Sequence, residues 1–197
     1  MKTIGKILFS IWAAWVGTSS AAPPVSMPEN IDKEGLAQQA RSIAQQYGST
    51  LSQTLKATIM TSGPAAAITA CKVHAPEASQ QMQEITGWQV RRTSNKVRNP
   101  NNRPDIWEVH VLEQFAKRLE KGEGIDDMEH FAVVMEKGQP VFRYMQAISV
   151  KNVCLNCHGP HVSGAVKEAI DNLFPLDRAT CYRKGDLRGA FTLKKSL

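Results

Sequence analysis

Apolar residues recur at steps of three and four from Leu36 through Ala40, Ile43, Tyr47, Leu51, Leu55 and Ile59. That spacing draws one stripe along a helix over 31–60, with Gln, Ser and Lys filling the opposite face. Ser62-Gly63-Pro64 stops this helix, and Pro64 suits the first position of the next, which brings Ala67, Ile68 and Cys71 onto one face. Pro76 bends or restarts that helix, and a further amphipathic piece, 77–85, ends at Gly87.

The period then changes. Trp88 to Thr93 alternates as a strand does, and 99–104 is rich in turn residues. Asp105 followed by Glu108 has the spacing of a capping box, opening a helix through Val111, Leu112, Phe115 and Leu119 to Gly122. The runs 131–135 and 141–148 are β-branched and aromatic, with Lys137-Gly138 between them, and predict an antiparallel hairpin. A helix over 164–174 and a closing strand over 189–193 complete the chain. Helices first and antiparallel strands later predict an α+β domain.

Composition narrows the class. The 197 residues are 42% apolar and 21% charged with a net charge of +6, which suits one domain with a core and excludes disordered tails, fibres and disulfide-dense miniproteins. The first 21 residues have the form of a secretory leader: Lys2 and Lys6, an apolar run over 7–16, then small residues with a preferred cut after Ala21. That run is shorter than the ~20 residues a bilayer span needs. The predicted organisation is a signal peptide over 1–21, a Pro-rich lead over 22–30, and one domain over 31–197. The mature chain is expected to be exported, to the periplasm or its equivalent, and to have no membrane span.

The candidate chemistry is concentrated at Cys154-Leu155-Asn156-Cys157-His158. This is the attachment motif of c-type haem, in which two thiols add to the porphyrin vinyls and the following histidine ligates iron. The two-residue gap puts both sulfurs on one side of a single helical turn. A thioredoxin-like pair would require a βαβ context, which is missing, and a zinc site would require further ligands at paired spacing, which Cys71 and Cys181 do not supply. The expected cofactor is therefore covalent haem c, with Cys154 and Cys157 as its thioethers and His158 as the proximal ligand.

For the other axial position the residues leave alternatives open: Cys71, the histidines His74, His110, His130 and His161, or a methionine. An unpaired thiol is unusual in an exported protein, so a Cys71–Cys181 disulfide competes with ligation by Cys71. His74, three residues on and on about the same helix face, is the natural rival. The basic run Arg91, Arg92, Lys96, Arg98 and Arg103 lacks the interleaved aromatics of a nucleic-acid site. Its readings are a solvated face, a docking patch for an acidic redox partner, or partners for the haem propionates, with Arg91 and Arg98 as the candidates.

Four segments together, 67–76, 91–105, 154–159 and 185–191, resemble a family of exported single-haem c-type proteins with a PAS-like sensor fold, long grouped as a domain of unknown function. The resemblance runs from about Ile31 onward. It implies a PAS-like antiparallel sheet with a long N-terminal helix and flanking helices, and iron held by His158 and by the thiolate of Cys71. One departure stands out: Cys181 occupies a place where the family's run carries glycine.

A thiolate ligand favours Fe(III) and pulls the reduction potential below that of a His/Met cytochrome. The expected function is a redox or gas sensor, or an electron-transfer protein working with a separate redox partner, and not an enzyme. The alternatives are a His/Met or bis-His carrier of the helical cytochrome c′ type, which should lack the hairpin at 131–148, and a peroxidase-like haem enzyme, which would need a distal acid–base residue such as His74.

Overall fold

The computed structural model describes residues 30–197. The expected signal peptide and nearly all of the Pro-rich lead lie outside the described residues. Helix α1 (Lys33–Thr86) starts at Asp32, whose side chain accepts from the Gly35 amide at 2.8 Å, and ends at Gly87 in the left-handed conformation. It is one run only formally. Gly63 sits at φ 82°, ψ 170°, a conformation closed to most other residues, and reverses the chain there. The two arms fold back on each other: the Tyr47 hydroxyl donates to the Ala75 carbonyl at 3.3 Å, and Ala78 packs with Ala37, Ala40 and Ala44. Small residues on both arms let them approach closely.

Four strands follow, interleaved with helices: β1 (Gln89–Thr93), α2 (Ile106–Glu120), β2 (Glu129–Glu136), β3 (Gln139–Ser149), the single turn α3 (Leu155–His158), α4 (Gly164–Leu173) and β4 (Leu187–Ser196). They form one antiparallel sheet in the order β1-β4-β3-β2. β2 and β3 are the predicted hairpin, lengthened at both ends, and Lys137-Gly138 turn it with both residues at positive φ, as a two-residue hairpin requires. That hairpin removes the all-helical cytochrome c′ reading. The chain is an α+β domain with a long N-terminal helix and a four-stranded antiparallel sheet, as the patterning predicts.

Each face of the sheet carries its own core, because successive strand residues point to opposite sides. Ala40, Ile43, Ala44 and Tyr47 of α1 pack on Trp88, Val90, Phe142, Tyr144 and Leu193. On the other side Val111, Leu112 and Phe115 of α2 pack on Met145, Ala147 and Ala190. α2 is opened by the predicted capping box, in which Asp105 accepts from the Glu108 amide and Glu108 reaches back to the Asp105 amide, both at 3.0 Å. Gly189, at φ 152°, lies where a Cβ would collide with the Thr93 carbonyl, so β4 can close on β1 only with glycine there.

Candidate functional site

The apolar stripe of α1 serves two purposes. Up to Tyr47 it is core; beyond it, Leu51, Leu55 and Ile59 line a cavity of about 740 Å3, enclosed between the two arms of α1, the open ends of β1, β3 and β4, and the segment carrying the Cys-x-x-Cys-His motif. That volume lies in the range of cofactor and ligand sites, about 300–1,000 Å3. The lining is mostly apolar, with Ile68, Phe174 and Phe191 among its walls, and a few polar groups converge on it.

Cys154, Cys157 and His158 all line this cavity. A 3-10 turn over Asn152–Cys154 runs into α3, so the motif is wound as a single helical turn with both thiols and the ring directed from one short element. Two distant loops hold it in place. The His158 Nδ1–H donates to the Ala179 carbonyl at 2.6 Å, which fixes the tautomer and leaves the lone pair on Nε2. Arg98 Nη2 donates to the Cys157 carbonyl at 2.7 Å, and the Cys181 and Tyr182 amides donate to the Gly159 and His158 carbonyls at 3.1 and 2.9 Å. Burial, with Arg188 and Arg98 nearby, holds His158 well below the ordinary histidine pKa. It is therefore neutral at physiological pH, the form in which an imidazole binds a metal. Cys157 is buried, which raises its thiol pKa.

Cys71 and His74 both line the cavity from the second arm of α1. The walls around Cys71 raise its thiol pKa, with Arg92 and Arg98 pulling the other way. His74 Nδ1 lies 2.9 Å from Glu77 Oε2. All four cysteines are free thiols, so Cys71 and Cys181 are not bridged. Cys181 has φ 62°, the left-handed region. That explains the glycine expected at this place: the backbone needs a positive φ, and this chain meets it with a side chain that disfavours it.

The two arginines expected at the propionates are both committed to carboxylates. Arg91 points to the α2 side of the sheet, where its Nη2 donates to Glu108 at 2.6 and 2.8 Å. Arg98 pairs with Asp177 through Nε at 3.1 Å and Nη2 at 3.2 Å, besides holding the motif loop. Of the other cations lining the cavity, Lys151 pairs with Asp126, and Arg92 and Arg188 have no carboxylate partner among the described residues. The sequence places Arg92 in the basic run and Arg188 in the 185–191 segment without singling out either, although strand parity separates Arg92 from Arg91: Val90 belongs to the α1-side core, and Arg92 is two residues on. Nothing in the sequence pattern placed Ala179 at His158. Among the described residues no group of three His, Cys, Asp or Glu side chains gathers to hold a bare metal ion.

Fold and site together define an α+β domain in which a helical hairpin and one open end of an antiparallel sheet enclose a cofactor-sized cavity fitted with a Cys-x-x-Cys-His turn. The chain belongs to the Tll0287-like family, whose match covers residues 30–196. Among solved structures, it is similar to the crystal structure of the cyanobacterial heme-protein Tll0287, with a TM-score of 0.59 and 24% identity, covering 84% of this chain and 97% of that one. At that identity the likeness shows the fold. A search of the curated proteins gives no match.

Proposed function

We propose that this protein is an exported c-type haem protein, with haem joined covalently through Cys154 and Cys157, ligated by His158 and by Cys71 as the distal ligand, His74 being the alternative. The observation that carries this reading is His158: its Nδ1–H is spent on Ala179, and its free Nε2 belongs to a ring that shares a cavity wall with both motif thiols. The similarity to a heme-protein of the same fold supports it. The donor set fits the group: two motif thiols, a neutral imidazole, the Cys71 thiol lining the same cavity, and apolar walls for the porphyrin.

When bound, haem supplies a one-electron Fe(III)/Fe(II) couple. The chain's own residues set how that couple is used. The Ala179 carbonyl orients the His158 ring and makes it a stronger donor. Arg98 ties the motif turn to Asp177 and so keeps the two thiols in place. A Cys71 thiolate on the iron would add negative charge that favours the oxidised state; burial raises the thiol pKa, and Arg92 and Arg98 partly offset that.

Cys71 rides on the arm of α1 beyond the Gly63 reversal, so a change in its bonding would be felt along that arm. This favours redox or gas sensing by a PAS-like domain that signals to a separate partner. Electron transfer to a redox partner is the second reading, since it requires only the haem and a docking surface. We assign the protein no catalytic turnover, and no nucleic-acid partner. No helix among the described residues is long and apolar enough to cross a membrane.

Expression with haem-maturation machinery, followed by a denaturing gel stained for haem, tests the assignment. Haem should remain with the chain after denaturation and be lost from it in Cys154→Ala/Cys157→Ala. A chain that carries no haem, or one that releases it on denaturation, would contradict the reading. Hydrogen exchange separates the two roles: a change over 64–86 between oxidation states marks a sensor, and none marks a carrier.

A further inference from the structure

Three guanidinium groups converge on the cavity, and only one is balanced. Arg98 has Asp177; Arg92 and Arg188 have no carboxylate among the described residues. Their neighbours are neutral or cationic. Arg188 donates through Nη1 to the Ser94 hydroxyl at 2.9 Å and the Lys96 carbonyl at 3.3 Å, and lies 5.3 Å from the Tyr182 ring centroid. Arg92 lines the same cavity as Tyr47. Burial, with the like charges of Arg92 and Arg98, holds Arg188 below the ordinary guanidinium pKa. Two cations brought together in a half-buried apolar cavity repel each other and lose hydration, a cost that a protein offsets with matching negative charge.

The geometry points to Arg92 and Arg188 as the pair that binds two carboxylates of one ligand held in this cavity. This rests on the haem reading, under which the two carboxylates are the propionates. The stoichiometry is two for two, and a guanidinium matches a carboxylate in shape as well as charge. Placement fits as well: Arg92 on β1 is in register with Phe191 on β4, and Arg188 lies three residues before Phe191 at the start of that strand, so both reach the cavity from the same corner of the sheet. Leu51, Leu55 and Ile59 supply apolar lining to the same cavity. A planar ligand with one dianionic edge would place its acid edge toward the β1–β4 corner. Each arginine also lies near a residue linked to a proposed iron ligand. Arg92 shares the cavity wall with Tyr47, whose hydroxyl reaches Ala75 on the arm bearing Cys71, and Arg188 lies over Tyr182, edge-on to His158 with ring centroids 6.3 Å apart.

The test is potentiometric titration of the haem-loaded full chain and its Arg92→Gln, Arg188→Gln and double variants, with Arg103→Gln as a charge-matched control outside the cavity. Removing a cation that neutralises a propionate leaves net negative charge beside the iron and stabilises the oxidised state. The expected result is a lower midpoint potential in each single variant, a lower one still in the double, and no shift in Arg103→Gln. Arg92→Lys and Arg188→Lys should restore most of the shift. Potentials in the Gln variants equal to that of Arg103→Gln would overturn the proposal. Where a Gln variant attaches no haem, haem content is the readout: recovery in the Lys variant supports the proposal, and no recovery overturns it. A wild-type chain without haem contradicts the haem reading itself, which separates the two failures.

Discussion

The two faces of the sheet treat positive charge in opposite ways. On the α2 face, the fully buried Glu108 receives Arg91 at 2.6 Å, Arg143 at 3.3 Å and the Thr192 hydroxyl at 2.8 Å, while Asp105 and Glu136 take the remaining contacts of Arg143. Every charge there has an opposite. On the α1 face, at the cavity end, Arg92 and Arg188 face no carboxylate among the described residues. Adjacent residues of one strand, Arg91 and Arg92, fall on either side of this divide. Identical side chains one position apart thus differ in setting: the first is paired within the framework, the second faces the cavity.

The largest effect belongs to the balanced face. Glu108→Gln takes from Arg91 its carboxylate partner and from Arg143 one of three, leaving Asp105 and Glu136 in place, and should cost about 3 kcal/mol in urea unfolding, the loss expected when one partner of a buried ion pair is removed. A loss below about 1 kcal/mol would show that Arg91 and Arg143 find water or other acceptors. Next comes Cys181→Gly. Relief of the left-handed strain, less the added backbone entropy of glycine, should stabilise the chain by about 0.5–1 kcal/mol. Unchanged or lowered stability would mean that the Cys181 side chain contributes contacts worth as much as the strain.

A smaller effect concerns acid. Arg41 and the Tyr144 hydroxyl donate to Glu129 at 2.6 and 2.7 Å, and the Arg41 contact outweighs partial burial to hold this carboxyl below the ordinary glutamate pKa. Its contribution is complete above the unfolded-chain value, about 4.3, and is lost as pH falls through the lower folded value. Urea midpoints followed from pH 7 to pH 3 should therefore fall less steeply in Glu129→Gln than in wild type, and parallel curves would contradict this. The smallest effect is on the unbalanced face. Arg92→Gln, in the chain expressed without haem-attachment machinery, should change stability by no more than about 0.5 kcal/mol or raise it, since no ion pair is broken. A loss approaching that of Glu108→Gln would erase the contrast between the faces.

Local chemistry was legible in the sequence and long-range placement was not. The helix break at Gly63, the capping box at Asp105 and the Lys137-Gly138 hairpin each depend on residues within a few positions of one another, and each is found where the pattern puts it, whereas the reversal that the break produces was not expected. The stripe through Leu55 and Ile59 was legible as apolar, but whether a stripe meets core or cavity depends on what folds against it. The charged residues show the same limit. Arg91 and Arg98 stood out by type, yet Glu108 and Asp177, the residues that neutralise them, lie 17 and 79 positions away in sequence. The parity of β1 would have separated Arg91 from Arg92, because Trp88, Val90 and Arg92 share a side. The Ala179 carbonyl that orients His158 comes from an irregular loop, where no periodicity marks it.

The central claim is that His158 and Cys71 ligate one iron. Low-temperature electron paramagnetic resonance of the oxidised, haem-loaded protein tests it most directly, with Cys71→Ala measured beside the wild type and His74→Ala as the rival. A low-spin thiolate signal that disappears in Cys71→Ala and persists in His74→Ala is the predicted result. A spectrum unchanged by Cys71→Ala, or one abolished only by His74→Ala, would contradict it.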